Sequence, residues 1–245
     1  MKIWFASMLS IGVLASCSKG RQEASGSAST AGSGSASPAP TGNVTINGSG
    51  STFQKAFQEI AIEAFTKTHP DTKVNYGAGG SGKGRQDFAD LVTDYGCSDA
   101  PYKDEDKAKI KGDEFIYVPA LLGAITVSYN VEGVDKLQLS PETIAKIFQR
   151  EIKKWNDKEI AKDNPGVKLP ATDIVVAHRS DGSDTTQNFT AYLTKAADKA
   201  WKLKSGSTVE WPADTQAGNG NPGVAQIVKS TKGAVGYVDL SDAKA

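Results

Sequence analysis

The sequence predicts an α/β protein with mostly parallel sheets. Short runs of β-branched and apolar residues alternate with helical patterns along the chain, and a polar, Gly- and Ser-rich loop stands between strand and helix each time. Size agrees with this: of 245 residues, about 200, from Val44 onward, have the apolar content of folded protein, enough for one large domain or two small ones.

Taken in order, Val44-Thr45-Ile46 reads as a strand, with a loop from Gly48 to Thr52. Phe53, Phe57, Ile60, Ala61, Ala64 and Phe65 fall at helical spacing, so a helix begins near Ser51 or Thr52. Lys73 to Tyr76 is a second strand, Arg85 to Val92 a helix, Tyr95 to Asp99 a third strand with its exit, and Phe115 to Tyr129 one or two strands. Ser140-Pro141 is an N-cap with proline in the first turn and heads a helix through Phe148. Ile174-Val175-Val176 is a strand running into His178-Arg179-Ser180-Asp181-Gly182-Ser183. A helix follows with Phe189, Tyr192, Leu193 and Ala196 on one face. Val224, Ala225, Ile227 and Val228 mark another helix and Ala234 to Val238 a last strand. In sheets of this kind ligands bind beyond the carboxyl ends of the strands.

The chain start is of a different character. Residues 1–16 carry one charge, Lys2, then an apolar run from Ile3 through Ala15, the pattern of a secretory signal peptide and too short to span a bilayer. Leu14-Ala15-Ser16-Cys17 resembles a bacterial lipobox, which implies a lipid on Cys17 and attachment to the membrane through it. From Ser18 to Asn43 the chain is Ser, Gly, Ala, Thr and Pro, so residues 17–43 read as a lipid-anchored flexible linker. Beyond Cys17 one cysteine remains, Cys97, which leaves no intrachain disulfide and no cysteine metal cluster. Lys and Arg number 28 and Asp and Glu 28, with no basic run outside the leader, so no nucleic-acid partner is expected.

The stretch Gly77-Ala78-Gly79-Gly80-Ser81-Gly82-Lys83-Gly84 reads in two ways. It is nearly a Walker loop, and it is also G-x-G-x-x-G with an acidic residue, Asp99, about twenty positions on. Both patterns place a phosphate at a helix N-terminus. A Walker loop wants Ser or Thr after the lysine, where this chain has Gly84. A dinucleotide turn leaves two further loops of the same make unexplained: Gly50-Ser51-Thr52-Phe53 and Gly182-Ser183-Asp184-Thr185. Each of the three offers backbone N–H groups at a helix start and a hydroxyl. Singly each also reads as an ordinary N-cap. Converging, they surround a small tetrahedral oxyanion, and an exported protein meets little ATP or nicotinamide cofactor.

Arg179 and Asp99 complete the set. An arginine binds an oxyanion through two parallel hydrogen bonds, and Asp181, two residues on, can hold it in place; alone, Arg179 reads as half of a surface salt bridge. Asp99 reads either as a turn residue before Ala100-Pro101 or as a selector. Phosphate near neutral pH keeps a P–OH that a carboxylate accepts, whereas sulfate has no proton, and a buried acceptor left without one costs a few kcal/mol. His69, in a turn with Pro70, and His178, beside Arg179, have no nucleophile partner, so no catalytic set is expected.

These residues, together with Lys154-Trp155 and Gly236-Tyr237-Val238, resemble in order and spacing the extracytoplasmic phosphate-binding proteins of phosphate ABC transporters, the PstS family. The resemblance covers nearly all of residues 44–240. It implies a type II periplasmic-binding-protein fold in which two α/β lobes, residues 44–118 and 119–245, close on one inorganic phosphate without metal or cofactor. It further implies phosphate contacts from Thr52, the Phe53 backbone N–H, Ser81, Arg179, Ser183, Asp184 and Thr185. Asp99 would accept the phosphate proton, Asp181 would brace Arg179, and permease subunits would be the membrane partners. Where the family carries glycine this chain has Asp184, whose side chain must turn away from the anion. Family members also continue beyond the Gly-Tyr-Val strand, so the resemblance implies an absent C-terminal return segment and an incomplete first lobe with an exposed sheet edge. The alternatives are a phosphate-ester or nucleotide-binding enzyme using Gly77–Gly84, a receptor for another oxyanion, or a truncated surface lipoprotein that does not bind.

Overall fold

The structure is a computed structural model that describes residues 43–112 and 114–244. The predicted leader, Cys17 and the linker up to residue 42 lie outside the described residues. Strand β1 (Val44–Gly50) is the centre of a three-stranded sheet. It is flanked by β2 (Thr72–Gly77) and β3 (Tyr95–Cys97), both parallel to it. β1 is longer than the sequence suggests, because Gly48-Ser49-Gly50, expected as loop, pairs with Tyr95–Cys97. A central strand satisfies its backbone on two sides, so the second ladder extends it past the point where apolar side chains stop.

Helix α1 (Lys55–Thr68) is entered through a 3-10 turn at Thr52–Gln54, with Ser51 Oγ accepting from the Phe53 N–H. The helix stands where expected, yet its apolar residues find no core: none of its residues is buried, and Ile60 is 70% exposed. Helix α2 (Ser81–Ala89) starts and ends earlier than the expected Arg85–Val92. Its end is set by Leu91, whose φ of 58° is left-handed and cannot continue the helix. A one-turn helix α3 (Asp104–Lys107) was not expected. The strand or strands expected over Phe115–Tyr129 shrink to β4 (Ile125–Tyr129), and residues 114–124 form no regular element. Ile116, Val118 and Leu122 there are exposed, and β-propensity without a pairing strand does not make a strand.

The second sheet has the order β4-β7-β5-β6. β5 (Val175–Arg179) lies parallel to β6 (Gln216–Gly218) and to β7 (Ala234–Asp239), and β4 runs antiparallel to β7 at the edge. β6 has three residues, too few to show a period in sequence. Helices α4 (Pro141–Phe148), α5 (Lys158–Asp163), α6 (Asp184–Ala196), α7 (Gly220–Ser230) and α8 (Leu240–Ala243) are the remaining helices among the described residues. The Ser140 cap holds, its side chain accepting from the Thr143 N–H with Pro141 in the first turn. On α6, Phe189 and Leu193 are buried while Tyr192 is exposed, so the apolar face is narrower than the spacing suggests. Among the described residues, both buried apolar clusters belong to this half. At the centre, Trp155, Phe148, Ile147 and Tyr237 are fully buried, and Trp155 Nε1 donates to the Gly233 carbonyl at 2.9 Å.

Candidate anion-binding site

The polar loops leave the carboxyl ends of five parallel strands and meet. β1 delivers Ser51 and Thr52, β2 delivers Gly80 and Ser81, β3 delivers Asp99, β5 delivers Arg179 to Ser183, and β6 delivers Gly220 and Asn221. Hydrogen bonds tie the loops of the two sheets directly. The Gly82 N–H donates to the Gly182 carbonyl at 2.9 Å, the Asn221 N–H to Thr52 Oγ1 at 3.1 Å, and Asn188 Nδ2 to the Asp99 carbonyl at 3.2 Å. Gly80 is required at this meeting, because its φ is 93° and a Cβ would stand 2.2 Å from Asp181 Oδ2.

On the side of the first sheet, Asp99 Oδ2 accepts from Ser51 Oγ at 2.6 Å and from Ser81 Oγ at 3.3 Å. Burial raises the pKa of this carboxyl above the usual carboxylate range. The two serine hydroxyls work against that rise, and the charge of Asp184 adds to it. The result is a carboxylate with a strengthened appetite for a proton, presented among hydroxyls. The Phe53 N–H donates to Ser51 Oγ at 3.1 Å, so an anion at this turn shares or displaces that bond.

On the side of the second sheet, Arg179 is buried. Its Nε donates to Asp181 Oδ1 at 2.8 Å, its Nη2 to Asp181 Oδ2, and its Nη1 to Asn221 Oδ1 at 2.9 Å. Three of the five guanidinium N–H bonds are thereby fixed, and two remain for an anion. Burial works to raise the pKa of Asp181, but the Arg179 guanidinium and the Gly220 N–H outweigh it and hold the carboxyl below its ordinary value. Ser183 caps α6, its Oγ accepting from the Thr186 N–H at 3.2 Å, which leaves the hydroxyl proton to donate elsewhere. Thr52 Oγ1 and Thr185 Oγ1 each accept from Asn221 and likewise keep a proton to give.

Asp184 is fully buried and its carboxylate turns towards the first sheet's side, where Oδ2 pairs with Arg85 and lies 2.5 Å from Ser98 Oγ. Lys83 lies apart from the site. Its ammonium pairs with Asp87 one turn along α2 at 2.8 Å, and its side chain is 61% exposed. Gly84 cannot be the hydroxyl residue of a Walker loop for a packing reason, since a Cβ there would sit 2.4 Å from Gly50 Cα. His178 is structural, with Nδ1 against the Arg179 carbonyl, Nε2 against Thr215 Oγ1 and its ring stacked on Trp211. Cys97 is a buried free thiol whose pKa burial pushes up. A cleft of about 650 Å³ lies elsewhere on the second half, lined by Tyr129, Pro222, Gln226 and Asp242, and holds none of the convergent serine and threonine hydroxyls of the loops.

Sequence reasoning missed Asn221, Arg85 and Ser98. Asn221 is fully buried and bonds Thr52, Arg179, Thr185 and Asp239. A signal for it existed: Gly218-Asn219-Gly220-Asn221-Pro222-Gly223 is a fourth Gly-rich turn between a strand and a helix. Asp239, which anchors Asn221, also caps α8, and its neighbour Asp242 is pushed up to about 7 by burial and by Asp239's carboxyl. A carboxyl whose pKa is raised on folding binds more protons folded than unfolded, so stability falls as pH rises from about 4, the unfolded value, to about 7. In urea titrations across that window, Asp242→Asn is expected to flatten the slope, and an unchanged slope would refute this assignment.

Among the described residues no helix is long and apolar enough to cross a membrane. A family model described as PBP superfamily domain matches residues 24–245, and the chain belongs to that superfamily. Within it, the chain is 43% identical over 210 residues to the phosphate-binding protein PstS of Methanocaldococcus jannaschii, covering 81% of this chain and 54% of that one. It is 37% identical over 236 residues to phosphate-binding protein PstS 3 of Mycobacterium leprae, covering 95% of this chain and 63% of the relative. The chain thus spans less than two thirds of these relatives' lengths. Among solved structures, the fold matches a putative phosphate ABC transporter substrate-binding protein with bound phosphate from Clostridium perfringens. The TM-score is 0.61 at 22% identity, covering 81% of this chain and 73% of that one.

Proposed function

We propose that the protein captures inorganic phosphate outside the cytoplasm and delivers it to the permease of an ABC transporter, acting as a binding protein and not as an enzyme. One observation carries this reading: helix-start loops from two sheets are hydrogen-bonded together, one set holding a buried, braced arginine and the other a carboxylate, Asp99, whose pKa is raised. The names of the curated relatives support the choice of phosphate. In this reading Thr52, Phe53, Ser81, Ser183, Asp184 through its backbone N–H, Thr185 and Arg179 donate to the anion, Asp181 braces Arg179, and Asp99 accepts the phosphate proton. Residues 44–118 and 119–245 act as lobes that close on it, and Cys17 carries the lipid that keeps the protein at the membrane. The nucleotide-enzyme alternative needs Lys83 at the phosphate, and Lys83 is an exposed partner of Asp87.

The test is equilibrium binding of labelled phosphate to the full chain, without metal and with excess sulfate as competitor. Sulfate is expected not to displace phosphate. Asp99→Asn is expected to weaken phosphate by about tenfold or more and to narrow its advantage over sulfate, since the amide cannot accept the proton in the same way. Displacement by sulfate from the parent protein would sink the role of Asp99.

A further inference from the structure

Asp184 is an odd residue for an anion site. It is the first residue of α6, fully buried, and stands between Ser183 and Thr185 in a loop that offers N–H groups and hydroxyls to an anion. A helix N-terminus welcomes one negative charge, and here a carboxylate already occupies that end. Asp99 brings a second carboxylate close enough for the two to repel. Asp184 Oδ1 has no hydrogen-bond partner among the described residues, so the whole neutralisation of this buried group falls on Oδ2. Oδ2 meets Arg85 Nη1 and Ser98 Oγ. Arg85 stands on α2, the helix that begins with Ser81, and its Nη1 also donates to Ser98 Oγ at 2.7 Å. Its position is fixed from behind, where Tyr102 donates to the Arg85 carbonyl at 2.6 Å.

We propose that Arg85 and Asp184 form an ionic clasp between the two halves that makes anion binding possible in this loop. Arg85 is a positioning residue: it draws the carboxylate away from the anion, cancels its charge, and ties the start of α6 to α2. The proposal rests on the phosphate-binding reading above. It differs from a direct role for Arg85, because the arginine matters only while Asp184 is present. An unpaired buried carboxylate is costly by itself and repels a bound anion, and removing one member of a buried pair costs far more than removing both.

The experiment is a double-mutant cycle on the full chain with parent, Arg85→Ala, Asp184→Gly and the double variant. Two readouts are used: titration with inorganic phosphate and the thermal unfolding midpoint. Arg85→Ala is expected to weaken phosphate about tenfold or more in the parent and about twofold or less in the Asp184→Gly background. Arg85→Lys, which keeps a charge without the planar fork, is expected to recover part of the loss. Equal losses in both backgrounds would show Arg85 acting on the anion itself and overturn the clasp, as would no loss in the parent. If the parent does not bind phosphate, the function reading fails and the unfolding midpoints decide the clasp. Arg85→Ala lowers the midpoint in the parent and spares the Asp184→Gly background if the clasp exists, and equal shifts in both reject it. If Arg85→Ala does not fold in the parent background, folding of the double variant supports the clasp and failure of both rejects it.

Discussion

Arg179→Ala is expected to lower phosphate affinity by about 10²- to 10⁴-fold and to destabilise the folded chain. The two guanidinium N–H bonds left free by Asp181 and Asn221 are charge-assisted donors, worth about 1.5–3 kcal/mol each, and losing both sets the range of the affinity change. The stability loss has a separate origin. The Arg179 side chain is 1% exposed, and its removal strands the Asp181 carboxylate, which also holds the Gly220 N–H at 3.0 Å. Breaking a buried pair from one side costs about 3–5 kcal/mol. Because the pair keeps the Asp181 carboxyl below its ordinary value, its contribution is present above about pH 4 and lost as pH falls below that. Calorimetric titration with phosphate and urea unfolding at neutral pH read the two effects independently. A variant that binds within threefold of the parent would remove Arg179 from the site.

Trp155→Ala is expected to cost about 3–5 kcal/mol in stability without touching a site residue. The indole is fully buried at the centre of the larger cluster, and its Nε1 satisfies the Gly233 carbonyl at the turn before β7. For a chain of this size that corresponds to a midpoint drop of about 10 °C. Ile60→Ala on α1, by contrast, is expected to change stability by no more than about 0.5 kcal/mol, since Ile60 is 70% exposed. Thermal unfolding of the two variants beside the parent checks the contrast, and similar shifts for both would overturn the assignment of the core to the second half.

Much of this arrangement was legible in the amino-acid order, for reasons that are local. Ser140-Pro141, the strand signal Ile174-Val175-Val176, and the Gly-Ser turn before α6 announce themselves by capping chemistry or by short apolar runs. What stayed hidden depends on neighbours distant in sequence. β1 extends through Gly50 because β3 pairs with it there, and Phe115 to Ala124 stays irregular for want of a partner strand among the described residues. The same holds at the site. Asn221 reaches Thr52 across 169 positions and Arg85 reaches Asp184 across 99, distances at which no spacing rule speaks. Residue chemistry pointed to Arg179 and Asp99 because an anion site without a guanidinium or with a carboxylate calls for a reason. An asparagine that satisfies four other groups calls for none until those groups are seen around it.

The unequal sharing of aromatic residues between the two halves has an optical consequence. Trp155, Trp201 and Trp211 all belong to the cluster around the second sheet, and no tryptophan lies between residues 43 and 118. Among the described residues, indole emission therefore originates in one half alone, and events confined to the first sheet pass in the dark. The exception is built in. Trp211 stacks on His178, with ring centroids 5.1 Å apart, and His178 holds the carbonyl of Arg179. One fluorophore is thus linked through His178 to the backbone of Arg179 in the candidate site, and a tryptophan introduced on α1 or α2 would give the other half a voice of its own.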